Sequence, residues 1–440
     1  MTDLPSGWAV TTVGDVFDVT GGGTPSTEVD DYWHGDIPWF TSADIQDTGE
    51  IRPRRWISWD AVRGSATNVV PVGSVVVVTR VGLGKVGLVV QDMAFSQDCQ
   101  ALLPRQGIDP QFVRYQLSAV ARELKHVSRG TTISGVTKKQ LLSLPLNLAP
   151  LREQERIVAA IEEQFSRLDA GVGTLFGVGE KLRRMRTVVL RRIFDGEAAT
   201  GVTVPLQSVA EARLGRMLSA KRETGKYARP YLRNRDVQWG RIDTGALPVM
   251  DFNERDMERF RLQTGDVLVC EGGEIGRAAV WDAPVADCYY QKALHRVRCS
   301  PSLDPYYLRY LLEYYALAGF FERFASGSTI AHLPQEDLRN LPVPLPGIDR
   351  QRRVVRYLGD ALGAIGATAG RVERLRHRSR PLRSSILAAA FSGKLVSQDP
   401  SDEPASFLLE RIAAQRVASA NGKRSSSRRR AQPSLWETTA

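Results

Sequence analysis

Cysteines are few in this chain, and long apolar runs are absent from it. The 440 residues include four cysteines, Cys99, Cys270, Cys288 and Cys299, and no two of them follow a CxxC spacing. This usage is typical of a reducing compartment and argues against disulfides and structural zinc. No apolar run approaches the roughly 18 residues of a membrane span, and the first residues lack the layout of a signal peptide. We therefore expect a cytoplasmic protein without a membrane partner.

Recognisable catalytic and metal-binding motifs are also lacking. The histidines, His34, His126, His295, His332 and His377, are scattered, and none pairs with cysteine or carboxylate at a ligand spacing. Carboxylate clusters typical of nucleases are equally hard to find. The sequence therefore predicts no metal site, no bound cofactor and no catalytic residue.

Two short stretches match known motifs without the context that those motifs need. Residues 82–87 read GxGxxG, yet Leu88-Val89-Val90 continues as a strand where a dinucleotide site requires a helix. A hairpin loop is the simpler interpretation. Asp304-Pro305-Tyr306-Tyr307 resembles the Asp-Pro-Pro-Tyr motif of amino-methyltransferases but lacks its second proline. Here and at Asp109-Pro110, an aspartate cap and a first-turn proline at the start of a helix explain the residues.

Positive charge is plentiful but unevenly distributed. The net charge is +10, which favours a polyanionic partner. Residues 347–394 hold 11 basic and 3 acidic residues, whereas residues 1–150 have a net charge of −2 and residues 196–346 a net charge of 0. Contacts of the globular parts with a polyanion must therefore come from local clusters of basic residues.

The sequence contains an internal repeat. The first copy includes Pro38-Trp39-Phe40, Gln97, Gly130-Thr131-Thr132-Ile133, Leu144-Pro145 and Gln154. The second copy matches them with Pro230-Tyr231-Leu232, Gln291, Gly327-Ser328-Thr329-Ile330, Leu341-Pro342 and Gln351, at offsets that drift from 192 to 197. Loops of different length produce such a drift, and the repeat indicates a duplicated domain.

Each copy combines a mixed globular domain with a long helical segment. The sequence predicts globular domains at 1–150 and 197–346, where strand-like runs alternate with Gly-rich turns. Helical periodicity follows at 151–196 and 347–394. Residues 395–440 predict a tail with a short amphipathic helix at 405–418 and a basic, disordered end. The predicted fold class is α/β (α+β), with two similar domains and two long helices.

The apolar residues of each long helix form a narrow stripe that suits a helix–helix seam. The chain has two such segments, so the simplest partner for each is the other. The alternative is that each helix packs on its own domain. Glycines at 171, 173, 177 and 179 and the proline at 381 are expected to weaken or kink these helices.

Basic residues cluster in the second domain between Arg213 and Arg235, with aromatic residues among them. The candidates for nucleic-acid contact are Lys221, Arg222, Lys226, Arg229, Arg233 and Arg235. Arginine and lysine bind phosphates, and arginine can also hold the guanine edge with two hydrogen bonds. The alternative is a solvated basic surface.

The first domain has a different patch at the corresponding place. The candidates are Thr24 and Ser26 in a Gly-rich stretch, and Arg54 and Arg55 beside Trp56. A protein that reads two different nucleic-acid sequences requires similar scaffolds with unlike loops.

Further candidates lie in hairpin loops and nearby turns. They are Arg80, Lys85, Gln97 and Thr131 in the first copy, and Arg277, Gln291, Lys292 and Ser328 in the second. A glutamine amide can pair with the major-groove edge of adenine, and loop hydroxyls can bond phosphates. The alternatives are buried amides bonded to backbone and ordinary turn chemistry.

Taken together, several motifs resemble the specificity subunits of type I restriction–modification systems. Gly22-Gly23-Thr24-Pro25-Ser26, followed by Tyr32-Trp33-His34-Gly35-Asp36-Ile37-Pro38-Trp39, resembles the start of a target recognition domain of that family. Arg229-Pro230-Tyr231-Leu232-Arg233-Asn234 is similar to another branch of the same domain. Residues 151–157 resemble the start of the family's first spacer helix, and residues 382–395 the end of its second.

The resemblance implies DNA recognition without catalysis by this chain. Each globular domain would read one half of a split site in double-stranded DNA, and the two helices would pair antiparallel as a coiled-coil spacer. Two modification subunits, which bind S-adenosylmethionine, would dock on the chain and methylate adenine N6. Two restriction subunits that use ATP and magnesium could join them. The complex is expected at the nucleoid of a prokaryotic cell.

Two other functions stay open at this point. The chain could be a stand-alone DNA methyltransferase or nuclease, in which case it would act on DNA without a partner. It could also be a nonspecific helical scaffold, in which case it would bind all DNA sequences equally.

Overall fold

The computed structural model describes residues 4–127, 135–217, 225–324 and 332–430. The chain divides into two compact units, Met1–Val172 with His377–Ala440, and Gly173–Arg376. Each unit contains one globular domain and a part of each of two long helices, so both helices run through both units. None of the helices in the described ranges has both the length and the apolar character of a membrane span.

The first globular domain consists of short strands with helices between them. In chain order its elements are β1 (Ala9–Thr12), α1 (Val13–Val16), β2 (Val19–Gly21), β3 (Ile37–Phe40), β4 (Arg55–Ile57), α2 (Trp59–Arg63), β5 (Val69–Val70), β6 (Val75–Val78), β7 (Val86–Leu88), β8 (Met93–Phe95), β9 (Cys99–Leu102), α3 (Pro110–Val127), α4 (Lys138–Leu142) and β10 (Pro145–Leu148), followed by the long helix α5 (Leu151–Thr200). Strand β6 consists of four valines that are all buried. Branched side chains of this kind favour a strand in the centre of a core.

The second globular domain has a similar series of elements. They are β11 (Thr203–Pro205), β12 (Ala210–Leu214), β13 (Ala228–Leu232), β14 (Val237–Gln238), β15 (Arg241–Ile242), β16 (Val249–Asp251), α6 (Glu254–Phe260), β17 (Val267–Cys270), β18 (Ala278–Val280), β19 (Tyr289–Tyr290), β20 (Leu294–Cys299), α7 (Pro305–Leu317), α8 (Gln335–Arg339) and β21 (Pro342–Pro344), followed by the long helix α9 (Ile348–Phe391) and by α10 (Ala405–Arg430). Strand β17, like β6, is buried at every position.

The sheets of the two domains repeat one topology. One sheet has the strand order β2-β9-β6-β7 in the first domain and β12-β20-β17-β18 in the second. The other has β4-β3-β8-β5 in the first and β16-β13-β19 in the second. In both domains one pair of neighbouring strands in this second sheet, β3 with β8 and β13 with β19, is parallel. The prediction of two similar mixed domains is therefore confirmed.

The strand register corrects one detail of the sequence repeat. Phe40 pairs with Phe95 in the first domain, and Leu232 pairs with Tyr290 in the second. Phe95 and Tyr290 are therefore equivalent, at an offset of 195. Counting onward, Gln97 corresponds to Lys292, and Gln291 corresponds to the residue before Gln97. The sequence-based pairing of Gln97 with Gln291 was wrong by one residue, because it followed side-chain identity across a loop of altered length.

The two long helices contact each other within each unit. In the second unit, the guanidinium of Arg376 lies 3.7 Å from the ring centroid of Phe176, and Arg350 donates to Glu197 over 2.9 Å. A residue later in α5 thus contacts a residue earlier in α9, so the two helices are antiparallel. In the first unit, Arg383 lies 4.4 Å from the ring centroid of Phe165. The predicted antiparallel spacer helices are confirmed.

The ends of the helices also belong to the domain cores. In the first unit, Ile157 of α5 and Leu387 of α9 lie in the same buried cluster as the domain's own Phe112. In the second unit, Phe194 of α5 and Leu358 of α9 share a cluster with Tyr307. The alternative prediction, that each long helix packs on its own domain, is therefore also partly correct. Each helix packs on one domain near its start and on the other near its end.

A buried glutamine near the start of each long helix joins that helix to its domain. Gln154 donates from Nε2 to the carbonyl oxygen of Ala149 over 2.8 Å, and its Oε1 accepts from the amide of Asp109 over 2.9 Å. Gln351 donates to the carbonyl oxygens of Ser302 and Pro346 and accepts from the amide of Asp304, each over 2.8 Å. Both side chains are fully buried.

Helix α10 packs on the first domain. The amide of Ala405 donates to the carbonyl oxygen of Gly7 over 2.9 Å, and Arg416 donates to that of Gly14 over 2.6 Å. Leu408 and Ile412 are buried in the core of the first unit. The sequence predicted helix for 405–418 only, whereas the structure continues the helix to Arg430.

Candidate nucleic-acid interface

Four loops of the first domain meet where strands β3, β6 and β8 end. The amide of Ser96 donates to Phe40 O over 3.0 Å, and the amide of Thr79 donates to Asp98 O over 2.8 Å. The amide of Gly23 donates to the carbonyl oxygen of Phe95 over 2.9 Å. These bonds bring together residues 21–26, 41–46, 79–85 and 96–98, which we call the first loop face.

The same bonds build a second loop face in the other domain. The backbone amide of Gln291 donates to the carbonyl oxygen of Leu232 over 3.1 Å, and that of Glu271 donates to the carbonyl oxygen of residue 293 over 3.1 Å. The backbone amide of Arg216 donates to the carbonyl oxygen of Tyr290 over 3.2 Å. The second loop face comprises residues 215–217, 233–238, 271–277 and 291–293. Equivalent backbone bonds hold both faces, so the side chains can differ without loss of the scaffold.

A glycine is required where the first segment of each face crosses the sheet. A Cβ on Gly22 would lie 2.3 Å from the carbonyl oxygen of Phe95, and one on Gly215 would lie 2.3 Å from that of Gln291. No side chain fits at such distances. The Gly-rich stretch that the sequence marked in the first domain is thus explained in part by close backbone approach.

Several predicted residues are exposed on or beside the first loop face. The hydroxyl of Thr24 donates to Oε1 of Gln97, so the structure brings these two candidates into contact. Ser26 and Arg80 are exposed. Gln97 is exposed as well, so the alternative of a buried amide does not apply to it.

Two predicted arginines lie at the start of strand β4, Arg54 directly before it and Arg55 as its first residue. The guanidinium of Arg55 lies 5.2 Å from the ring centroid of Trp33. Arg54 is paired with the buried carboxylate of Asp44, although 70% of its side chain is exposed. Trp33, the aromatic neighbour of Arg55, was not among the candidates, and its place in a Tyr-Trp-His-Gly stretch was the only signal for it.

The second loop face and its surroundings expose different residues. Lys292 is exposed, Gln291 is half-buried, and 74% of the Arg235 side chain is accessible. Lys226 is exposed and lies 5.3 Å from the ring centroid of Tyr227. The two faces therefore present unlike chemistry on like scaffolds.

Besides Arg54 and Arg235, which are paired with Asp44 and Asp236, four predicted basic residues have partners inside the protein. Nζ of Lys85 donates to the carbonyl oxygens of Ser42 and Ile45 over 3.2 and 2.8 Å. Its counterpart Arg277 donates to the carbonyl oxygen of Asn234 over 3.1 Å. The other two are paired with carboxylates: Arg233 with Asp236 and Arg229 with Asp287, each at 2.8 Å. These side chains hold the loops in position, a role that the sequence did not reveal because half of their partners are backbone atoms.

The remaining candidates lie outside the described residues. They are Thr131, Lys221, Arg222 and Ser328. They stay predictions from the sequence.

Buried carboxylates stabilise the turns that follow β3 and β13. Asp44 accepts from the amide and the hydroxyl of Thr41, and Asp236 accepts from the amide of Arg233. Burial alone would raise the pKa of Asp44, but the hydrogen bonds from Thr41 and Arg54 hold that pKa below its usual value. The carboxylate therefore stays ionised at neutral pH and fixes its turn.

The cysteines do not offer a nucleophile. Burial raises the pKa of Cys99 to about 12 and that of Cys270 to about 11. Both thiols therefore stay protonated at neutral pH, and a protonated thiol is a poor nucleophile.

A buried histidine is expected to make the stability of the second domain depend on pH. The ring of His295 donates from Nε2 to the carbonyl oxygen of Leu333 over 2.9 Å, and Nδ1 has no partner within the described part of the chain. Burial lowers its pKa, although the bond to Leu333 and the charge of Glu271 act the other way. The unfolded histidine gains a proton below about pH 6.5, before the folded one does, so stability is lost as the pH falls through that value.

We therefore expect His295→Gln to flatten the decline of Tm between about pH 7.5 and 5.5, because glutamine can keep the bond to Leu333 without titrating. Calorimetry of the wild type and the variant measures this. Equal slopes would show that His295 does not control the pH dependence.

The fold and the loop faces together define a class of protein. A duplicated mixed scaffold carries two unlike polar and basic faces, and two long antiparallel helices join the copies. Such an arrangement suits a protein that binds two unlike stretches of nucleic acid.

Comparison with known proteins gives the family. The type I restriction modification DNA specificity domain matches residues 5–170 and again residues 201–375. The chain therefore belongs to the family of type I restriction–modification specificity subunits.

Individual relatives agree with this assignment. The chain is 23% identical over 363 residues to the EcoKI specificity subunit of Escherichia coli K12, covering 76% of this chain and 78% of that protein. It is 21% identical over 414 residues to the MjaVIII specificity subunit of Methanocaldococcus jannaschii, covering 89% and 94%. The chain is 27% identical over 163 residues to the MjaIX specificity subunit of the same archaeon, covering 36% of this chain and only 38% of that protein.

Solved structures support the fold. A chain from a structure on the assembly and conformational transition of a type I system superposes with a TM-score of 0.74 at 20% identity, covering 89% of this chain and 99% of that one. An HsdS subunit from Thermoanaerobacter tengcongensis gives a TM-score of 0.54 at 19% identity, covering 89% and 98%. The interpretation of the chain as a non-catalytic DNA-specificity subunit of a type I system is confirmed by the family.

Proposed function

We propose that the chain reads a bipartite, asymmetric DNA site, with one half read by each loop face, and so directs adenine-N6 methylation by partner subunits. The observation that carries this proposal is the repeated scaffold with unlike exposed side chains: Thr24, Gln97 and Arg55 in one copy, Lys292 and Arg235 in the other. A symmetric dimer requires a palindromic target. A repeat within one chain allows the two halves of the target to differ.

The chemistry belongs to partners in this proposal. Two modification subunits that bind S-adenosylmethionine dock on the chain, and two restriction subunits that use ATP and magnesium can join. The complex acts on chromosomal DNA in the cytoplasm of a prokaryotic cell. This chain supplies the recognition of the target and binds no cofactor of its own.

The test is to co-express the chain with the modification subunit that we expect to be encoded beside it, in a host without adenine methylation, and to map N6-methyladenine across the genome. One bipartite motif that requires both chains would support the proposal. Replacing residues 1–150 by the first domain of another specificity subunit should then change one half of the motif only. Methylation by this chain alone would instead support a stand-alone methyltransferase, and methylation without a motif would support a nonspecific scaffold.

Arg55, beside the first loop face, and Arg235, on the second, are expected to contribute to DNA affinity. For Arg55→Ala and Arg235→Ala we expect weaker binding of the reconstituted complex to its site and, where a phosphate contact is lost, a slope of log K against log salt reduced by about 0.9. Fluorescence anisotropy at several salt concentrations measures both. Arg167→Ala is the matched control, because Arg167 is exposed on α5 and paired with Glu163. An equal loss in the control would contradict the assignment.

A further inference from the structure

Gln97 and Lys292 occupy the same position in the two loop faces. Each is the second residue after the strand that pairs in parallel with β3 or β13. The residue before each of them is bonded through its amide to that neighbouring strand, at Phe40 O and Leu232 O. Both Gln97 and Lys292 are exposed at this point. At a structurally fixed position with different exposed side chains, the two domains can distinguish their two targets.

The side-chain amide of Gln97 has a hydrogen-bond partner within the first loop face. The hydroxyl of Thr24 donates to its Oε1. A carbonyl oxygen has a second lone pair, and Nε2 keeps its two protons, so one acceptor and one donor stay available side by side. Adenine presents the complementary pair in the major groove, with the N6 amino group as donor and N7 as acceptor. The bond from Thr24 reduces the conformational freedom that the amide would lose on binding.

Lys292 has a different environment. Gly23 and Arg216 are equivalent, because each donates from its amide to the carbonyl oxygen of the last residue of the paired strand. The residue equivalent to Thr24 is therefore Met217, whose thioether cannot donate a hydrogen bond. Among the described residues, the ammonium of Lys292 has no ion pair. A free ammonium at this position is suited to the O6 and N7 acceptors of guanine.

We propose that Gln97, held by Thr24, reads an A·T pair in the half-site of the first domain, and that Lys292 reads a G·C pair at the corresponding place of the other half-site. This inference rests on the proposed function. It assigns Thr24 as a positioning residue. It also makes Lys292, and not Gln291, the counterpart of Gln97.

Methylation motifs test the inference in the co-expression system described above. We expect Gln97→Ala to lower the discrimination at one A·T pair of one half-site by roughly tenfold to a hundredfold, with the other half-site unchanged. Lys292→Ala should do the same at one G·C pair of the other half-site. Gln97→Lys should shift the preference at its pair from A·T towards G·C. Thr24→Val should partly lower the discrimination at the same base pair as Gln97→Ala, and Thr24→Ser should keep that discrimination.

The matched controls are Gln207→Ala and Lys139→Ala, because both residues are exposed and lie outside the loop faces. They should leave both half-sites unchanged. A wild type without a bipartite motif would overturn the proposed function itself. Given a bipartite wild-type motif, three results for Gln97→Ala and Lys292→Ala would overturn this inference alone. The motif could stay unchanged, the base preference could be lost at the opposite type of base pair, or it could be lost in both half-sites.

Discussion

Gln351→Leu is expected to lower the free energy of unfolding of the second unit by about 3 kcal/mol or more. Leucine has a similar volume but cannot bond the amide of Asp304 or the carbonyl oxygens of Ser302 and Pro346, which the glutamine now satisfies. Each buried polar group left without a partner costs about 1–3 kcal/mol. The site is fully buried, so water cannot replace the lost bonds without a rearrangement.

Gln154→Leu is the matched variant in the first unit, where two bonds are lost instead of three. We expect a smaller loss there, confined to residues 1–172 and 377–430. Hydrogen exchange measured by mass spectrometry resolves the two units, and Gln207→Leu on the surface is the control. Equal stability of Gln351→Leu and the control would show that the glutamine bonds do not join helix to domain.

The second large effect is expected at helix α10. Ile412 is 2% exposed in the core of the first unit. For Ile412→Asp we expect a loss of about 3–5 kcal/mol, from the missing apolar contacts and the burial of a charge. Only the first unit should lose protection from hydrogen exchange. Ala413→Asp, on the exposed side of the same turn, is the control for the added charge.

This result would separate a structural helix from an appended tail. If α10 were an appendage, Ile412→Asp and Ala413→Asp would behave alike. Protection of residues 13–16 in α1 is the sharpest local measure, because Arg416 bonds the carbonyl oxygens of Gly14 and Asp15 at that helix.

The duplicated architecture could be predicted from the sequence because it depends on features that repeat in the letters. Leu144-Pro145 and Leu341-Pro342 lie at equivalent places, at or beside strands β10 and β21. Gln154 and Gln351 were visible as a matching pair, but their role was not, since their partners are backbone groups, three of which lie more than 40 residues away in the chain. Identity alone also gave the wrong partner for Gln97, where pairing of strands sets the register.

The continuity of the long helices was harder to predict. Glycines at 171, 173, 177 and 179 each cost a helix about 1 kcal/mol relative to alanine, yet α5 runs unbroken from Leu151 to Thr200. Helix α9 likewise continues through Pro381. Most helix stability in proteins comes from tertiary packing, and residues near both ends of each helix are buried in domain cores. That contribution outweighs local propensity and cannot be read from a window of sequence.

The division of the chain has a consequence for its biosynthesis. The second unit is one continuous stretch, Gly173–Arg376, whereas the first needs both Met1–Val172 and His377–Ala440. Domains usually fold in the order in which they leave the ribosome. Here the earliest residues to emerge must wait for Leu387, Leu408 and Ile412 to complete their core. The second unit is therefore expected to fold first. The N-terminal part of the first unit, still without its complete core, is then the part of the nascent chain most exposed to proteases and chaperones.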